Sequence, residues 1–170
     1  HPRNPLLGTT AWIEKDVKAY EEAVSALEKV GRGDLIEKLD NPKNTVASVL
    51  PQGNVNKKFM KWLKRLGEFF TSLKDKKGNQ IPFIFRPYHE NSGSWFWWGK
   101  DHCSEKDFQH LWEYTVEYLR DTKGVHNFLY VYSPNGHFQT EDDYLSRYPG
   151  DKWVDIMGVD SYDDDQTGQW

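Results

Sequence analysis

Apolar residues recur at helical spacing in three long segments of the chain. The first covers residues 15–30 and breaks at the Gly-Arg-Gly triplet 31–33. The second has its apolar positions between Phe59 and Leu73 and predicts a strongly amphipathic helix. The third opens with a capping-box-like pair, Ser104 and Asp107, and carries apolar positions as far as Leu119. Residues 45–50 fit either a short strand or a helical turn.

Three short apolar runs alternate with these helical patterns. They cover residues 81–85, 127–133 and 154–159. The first is too short for a helix and is typical of a strand that is covered on both faces. Strands separated by helices predict β-α-β units and a parallel sheet, so the expected fold class is α/β.

Polar residues follow each predicted strand. They are His89 and Glu90 after the first strand, residues 135–137 after the second and residues 160–162 after the third. Ligands of α/β folds bind at the carboxyl ends of the strands, so we expect these residues to converge on one rim. A merely solvating role for Asp160 and Tyr162 is the less favoured interpretation, whereas the acidic run 163–165 is interpreted as a solvated loop.

The loop after the first strand, residues 86–99, has a composition that suits sugar cleavage. Glycoside hydrolysis needs a carboxylic acid to protonate the leaving oxygen, and Glu90 has that chemistry. The indoles of Trp95, Trp97 and Trp98 can lie against the apolar C–H faces of sugar rings. The competing interpretation is that these tryptophans pack in the core and that His89 and Glu90 form a surface pair. The position of the loop beyond the strand end favours a functional role.

Composition narrows the classes of function. The formal net charge of -4 argues against nucleic-acid binding. No apolar stretch approaches the roughly 20 residues that span a bilayer, and no signal-peptide pattern opens the chain. Because the chain starts at His1 without a methionine, we interpret it as processed or truncated. The single cysteine excludes an internal disulfide, and the eight tryptophans point to polysaccharide.

Other chemistries fit the sequence less well. The possible zinc ligands are His89, Glu90, His102, Cys103 and His110. Their spacing matches neither His-Glu-x-x-His nor Cys-x-x-Cys. Residues 92–94, Ser-Gly-Ser, do not form the Gly-x-Ser-x-Gly turn of an esterase. No glycine-rich phosphate loop follows a strand. We therefore expect neither a metal nor a cofactor.

Five stretches in and around this loop form a recognisable set of motifs. They are Ile-Pro-Phe-Ile-Phe-Arg-Pro at 81–87, Tyr-His-Glu-Asn-Ser-Gly-Ser-Trp-Phe-Trp-Trp-Gly at 88–99, Gly-Val-His-Asn-Phe-Leu-Tyr-Val-Tyr-Ser-Pro at 124–134, Tyr-Pro-Gly-Asp at 148–151 and Asp-Ile-Met-Gly-Val-Asp-Ser-Tyr at 155–162. Together they resemble the β-mannanases of glycoside hydrolase family 26. The resemblance implies a (β/α)8 TIM barrel. This chain then covers the segment from the end of strand three to just past strand six, and residues 1–170 form a single catalytic domain that is incomplete at both ends.

The resemblance also implies roles for residues in the loop. Glu90, at the end of the fourth barrel strand, would be the acid/base of a retaining mechanism. His89 would hold a substrate hydroxyl or orient the catalytic carboxylates. Trp95 would form a sugar-stacking platform, and Trp98 is expected to contact substrate as well.

Residues outside the loop acquire roles by the same resemblance. Asp160 and Tyr162 match the end of the sixth strand, where the tyrosine hydrogen-bonds the nucleophile. His1 matches a substrate-binding segment that closes the third strand, and Trp12 matches another subsite aromatic. The family carries its nucleophilic glutamate at the end of strand seven, and no residue of this chain matches it. We therefore expect the nucleophile outside residues 1–170.

The activity expected from these patterns is hydrolysis of β-1,4-mannosidic bonds by a retaining enzyme, with a β-mannan polysaccharide or manno-oligosaccharide as its partner. A monomer that binds no nucleic acid is expected, secreted or held at the cell surface, because the polymer cannot enter cells intact. Two alternatives stay open. One is a non-catalytic carbohydrate-binding module, and the other is a family relative acting on β-glucan or β-1,3-xylan.

Overall fold

A computed structural model of the protein describes residues 10–38, 42–136 and 138–162. Helices and strands alternate from residue 56 onward. The elements are α1 (Thr10–Lys29), two 3-10 turns (Gly33–Lys38 and Pro42–Asn44), α2 (Thr45–Val49), α3 (Asn56–Ser72), β1 (Phe83–Phe85), α4 (Glu105–Glu117) with a π-helical extension (Tyr118–Thr122), β2 (Phe128–Tyr132), α5 (Glu141–Leu145), a 3-10 turn (Asp151–Trp153) and β3 (Ile156–Met157).

The three strands form a parallel sheet in the order β1-β2-β3, as the alternation of strands and helices predicts. Phe83 lies opposite Phe128, and Val131 lies opposite Ile156. The first strand is two residues shorter than predicted, because Pro82 has no backbone N–H to donate to a ladder. Pairing starts at Phe83, whose N–H donates to the carbonyl of Asn127 at 2.8 Å.

The described helices cover only one face of this sheet. Phe83, Phe85, Phe128 and Tyr130 point towards them, while alternate residues point the other way. Ile84 on that opposite face is 71% exposed. Within the described residues the first strand is therefore covered on one face, and cover of the opposite face stays a prediction. Other apolar residues exposed along the sheet are Leu129, Ile156 and Met157.

Helices α3 and α4 pack in the core beneath the sheet. Phe70 of α3 places its ring 4.8 Å from the ring of Phe83 and 4.7 Å from that of Phe128. Trp112 of α4 is fully buried, and its indole N–H donates to the carbonyl of Trp153 at 3.0 Å. These contacts fix β1 and β2 against the helices and so fix the loops that leave the strands.

A local signal marks the start of α4. The Ser104 hydroxyl accepts a hydrogen bond from the backbone N–H of Asp107 at 3.1 Å, so the predicted start of α4 is confirmed. Residues 45–50, which fitted two structures, form the short helix α2. Within the described ranges, no helix has the length and apolarity needed to cross a membrane.

Candidate active site

The loop between β1 and α4, residues 86–104, lies at the carboxyl end of the sheet. It turns sharply at Tyr88 and Glu90, whose φ angles are +51° and +54°. Residues other than glycine rarely adopt positive φ angles, so the surrounding contacts must hold the turn in place. The N–H of Glu90 donates to the carbonyl of Ser133 at 2.7 Å, just beyond β2. The Tyr88 hydroxyl is 2.7 Å from the Thr115 hydroxyl on α4.

The Glu90 side chain is nearly buried, with 6% of its surface exposed. The indole N–H of Trp95 donates to Oε2 at 2.7 Å, and the hydroxyl of Tyr162 donates to Oε1 at 2.5 Å. Each carboxyl oxygen is therefore engaged by a donor from a different loop. A carboxyl group held on both oxygens has a fixed direction, which is what proton transfer to a bound substrate requires.

Tyr162 reaches Glu90 from the segment that follows β3. The hydrogen bond to Glu90 and the negative charge of that carboxylate raise the pKa of Tyr162. In the structure the phenol bonds Glu90. The carbonyl of Asp160 accepts from the N–H of Gly136 at 2.7 Å, so the chain runs beside the end of β2 towards Glu90. The bond from the phenol to the nucleophile, which the family resemblance implies, stays a prediction, because no residue of this chain matches the nucleophile.

Asp160 lies in the same site, but its carboxylate is directed at neighbouring protein groups. Its carboxylate accepts hydrogen bonds from Arg86 at 2.6 and 2.5 Å and from the Ser133 hydroxyl at 2.5 Å. These donors come from the ends of β1 and β2, so the ion pair ties all three strand ends together. Asp160 thus acts on the geometry of the rim. Arg86 and Ser133 had no role in the sequence-based site, although Arg86 stands inside the motif that revealed it.

Trp95 is partly buried and combines two properties. One edge of its indole donates to Glu90, and its six-membered ring covers Gly93 so closely that a Cβ at Gly93 would collide with the ring carbons. Glycine at this position is therefore needed for close approach. The accessible part of the indole lies next to the Glu90 carboxyl, where a sugar-stacking platform is predicted.

His89 and Trp98 differ in how far they face the site. Trp98 is only 8% exposed and stacks on Phe96 with ring centroids 4.5 Å apart. Its indole N–H donates to the His89 carbonyl at 2.9 Å. The structure therefore gives Trp98 a supporting position under the loop instead of the sugar-facing position predicted for it. The His89 ring is partly buried, 4.9 Å from the Phe96 ring, at the base of the same site.

The expectation that the three strand ends converge is confirmed for the residues described. The Ser92 hydroxyl exchanges two hydrogen bonds of 3.0 Å with the backbone of Asn135, and Asn135 forms a parallel bridge with Asp160. His1, the Trp12 side chain and His137 lie outside the described residues. Over the described ranges, no group of three or more His, Cys, Asp or Glu side chains is arranged to hold a metal ion.

Comparisons with known proteins agree with this geometry. The model of the family named Glycosyl hydrolase family 26 matches residues 38–169. A mannan endo-1,4-beta-mannosidase of Bifidobacterium adolescentis is 49% identical over 129 residues, which are 75% of this chain and 13% of that protein. A more distant relative, Endoglucanase H of Acetivibrio thermocellus, is 28% identical over 100 residues, 56% of this chain and 11% of that protein.

Two solved structures show the same fold over most of the chain. GH26C from a Muricauda species superposes with a TM-score of 0.70 at 41% identity, covering 74% of this chain and 34% of that one. A GH26 beta-mannanase from Bacteroides ovatus gives a TM-score of 0.68 at 47% identity, covering 71% of this chain and 35% of that one. The chain thus spans about a third of these solved chains, and the predicted (β/α)8 fold is confirmed as part of a barrel. Since the family model also matches more than half of the sequence, the chain belongs to glycosyl hydrolase family 26.

Proposed function

We propose that the protein is an endo-β-1,4-mannanase that cleaves mannan, galactomannan or glucomannan with retention of configuration. The observation that carries the proposal is the nearly buried Glu90 carboxyl at the carboxyl end of a parallel strand, held by Trp95 and Tyr162. Family membership and the mannan-cleaving activity named for the Bifidobacterium relative support this substrate class.

The two donors to Glu90 differ in whether they can also accept a hydrogen bond. An indole N–H only donates, so Oε2 beside Trp95 is an acceptor whether or not Glu90 is protonated. A tyrosine hydroxyl donates or accepts, so Oε1 beside Tyr162 can carry a proton. We assign the transferable proton to Oε1. Glu90 then protonates the departing glycosidic oxygen and afterwards takes a proton from the water that releases the glycosyl-enzyme intermediate.

A retaining mechanism requires a second carboxylate about 5 to 5.5 Å from the first. We propose that a glutamate outside residues 1–170 supplies it. A sugar ring stacked on the accessible part of Trp95 would place its glycosidic oxygen within reach of Glu90, because the indole that forms the platform also donates to Oε2. Asp160, bound by Arg86, keeps the rim in register.

The test compares Glu90→Ala and Glu90→Gln in the natural full-length protein with Glu117→Gln, an exposed glutamate at the end of α4. Hydrolysis of mannan should fall by about 10²- to 10⁴-fold for Glu90 and stay unchanged for Glu117. A dinitrophenyl mannoside, whose leaving group needs no protonation, should still form the intermediate, and azide should convert it to a β-mannosyl azide. Absence of mannan hydrolysis by the wild type would refute the proposal.

Binding measurements with the same variants separate an enzyme from a carbohydrate-binding module. A module would bind manno-oligosaccharides with similar affinity in all variants and release no products. An enzyme loses turnover at Glu90 while oligosaccharide binding is largely retained. Proton NMR of the first products should show the β-anomer, as retention requires.

A second substrate class is favoured by one observation, the similarity to Endoglucanase H. Initial rates on mannan, mixed-linkage β-glucan and β-1,3-xylan decide between the classes. A rate on β-glucan above that on mannan would replace the substrate in this proposal and leave the role of Glu90 intact. We further propose a monomer that is secreted or held at the cell surface, to be checked by light scattering and by fractionation of cultures.

A further inference from the structure

Arg147 is a buried cation that the proposed mechanism does not use. It follows α5 in the connection between β2 and β3, and only 4% of its surface is exposed. The six ion pairs formed among the described residues do not include it. Removing a charge from water is expensive unless other groups replace the hydration. The contacts of this guanidinium therefore indicate what it stabilises.

The polar contacts of Arg147 all lie in the loop that carries the site. Nη2 donates to the Trp98 carbonyl at 3.2 Å and to the Cys103 sulfur at 2.8 Å, and Nη1 donates to the Cys103 carbonyl at 3.3 Å. The guanidinium carbon also lies 4.7 Å from the centre of the Phe108 ring, a cation–π arrangement. One planar side chain thus holds both ends of residues 98–103.

The held segment connects directly to Glu90. Trp98, whose carbonyl is bound by Arg147, uses its indole N–H to bind the carbonyl of His89, the residue before Glu90. Trp98 also stacks against Phe96, next to the Trp95 indole that binds Glu90. Two routes of contact therefore run from Arg147 to the backbone and to the carboxyl of Glu90.

This support is placed where the backbone needs it. Glu90 has a φ angle of +54°, a conformation that persists only when the surroundings hold it. The carbonyl of His89 precedes that strained residue and is bound by Trp98. A shift of Trp98 would release the turn and change the direction of the Glu90 carboxyl, and small displacements of catalytic groups have large effects on rate.

We propose that Arg147 is a positioning residue for the hydrolysis, fixing the Trp98–Cys103 end of the loop so that Glu90 keeps the orientation needed to protonate the leaving oxygen. This inference rests on the proposed function. It assigns Arg147 no contact with substrate. A lysine has one compact ammonium group in place of the planar fork and cannot hold both carbonyls in the same way.

The experiment measures Arg147→Met and Arg147→Lys in the natural full-length protein, with Arg120→Met as the matched control. Arg120 lies over the Trp153 ring at 5.2 Å, as Arg147 lies over Phe108, but its hydrogen bonds go to Asp121 and Lys152, away from the site. Each variant is assayed on mannan and on a dinitrophenyl mannoside. Its thermal unfolding is also recorded, to establish that it is folded at the assay temperature.

A positioning role predicts a dependence on the leaving group. For Arg147→Met, kcat on mannan should fall by about 100-fold. The rate constant for forming the intermediate from the dinitrophenyl substrate, followed in the pre-steady state, should fall by less than about fivefold, since that step does not need the proton of Glu90. Arg147→Lys should regain part of the loss, and Arg120→Met should match the wild type. Equal losses on both substrates, or a fall in thermal stability with unchanged kcat, overturns the inference. A wild type without mannan hydrolysis overturns the proposed function itself and the inference with it.

Discussion

The two hydrogen bonds to Glu90 predict unequal effects when their donors are removed. Trp95→Phe deletes the N–H that binds Oε2 at 2.7 Å and keeps an aromatic ring, and Tyr162→Phe deletes the hydroxyl that binds Oε1. Trp95 is partly buried, whereas 77% of Tyr162 is exposed. Water can replace the phenol more easily than the indole, so Trp95→Phe should be the more damaging change.

The magnitude follows from the negative charge that Glu90 gains as it gives up its proton in the transition state. A hydrogen bond to a charged group contributes about 1.5–3 kcal/mol, and every 1.36 kcal/mol changes a rate about tenfold. If the full contribution of the Trp95 bond orients Glu90, kcat falls by about tenfold to about 150-fold in Trp95→Phe. Without that bond Oε2 is free to hold the proton, on the side away from Tyr162. Tyr162→Phe should lower kcat only a few-fold.

The assay separates orientation from sugar stacking. Loss of the platform surface raises KM. A misdirected carboxyl lowers kcat on manno-oligosaccharides and has little effect on the rate constant for forming the intermediate from a dinitrophenyl mannoside. Trp62→Phe on α3 is the matched control, because its ring lies under Lys58 on another surface. A larger kcat loss for Tyr162→Phe than for Trp95→Phe, or less than a twofold loss for Trp95→Phe, would refute the reasoning.

Three further changes test the loop, a helix cap and the core. Gly93→Ala should lower kcat by up to about 100-fold, because the added methyl group collides with the Trp95 ring that binds Glu90; steady-state kinetics measures it. Ser104→Ala should lower the free energy of unfolding by about 1 kcal/mol in urea titrations, since it removes the acceptor at the start of α4. Tyr130→Phe should reduce the loss of stability above pH 10, because burial raises the pKa of Tyr130 to about 12.

The sign of the Tyr130 effect follows from proton binding. Between the ordinary tyrosine pKa of about 10 and the folded value of about 12, the unfolded chain loses the proton first, so stability falls as pH rises. An unchanged alkaline slope in the variant would contradict this. Gly33→Ala, where a methyl group meets nothing closer than 4.0 Å, and the exposed Ser72→Ala are the controls for the other two changes.

Part of the site was predictable because strand ends obey a topological rule. Local periodicity located the strands, and the rule that ligands lie at the carboxyl ends of parallel strands selected Glu90, Asp160 and Tyr162. The predicted cover of the first strand is seen on one face only. Ile84 on the other face is exposed because the chain supplies only part of the barrel whose interior that face lines. Trp98 was predicted to contact the sugar but is only 8% exposed. The sequence of a loop does not show whether an indole faces solvent or the core.

The sequence by itself determined the helices, the parallel sheet and the membership of the rim, since these depend on residue spacing and on the order of elements. Only the tertiary structure decided which side chains meet. Tyr162 and Glu90 are 72 residues apart, Arg86 and Asp160 are 74 apart, and Arg147 reaches Trp98 across 49 residues. Such pairs form where packed helices bring separate loops together, and the direction of each side chain depends on rotamers and on non-local contacts that no local pattern encodes.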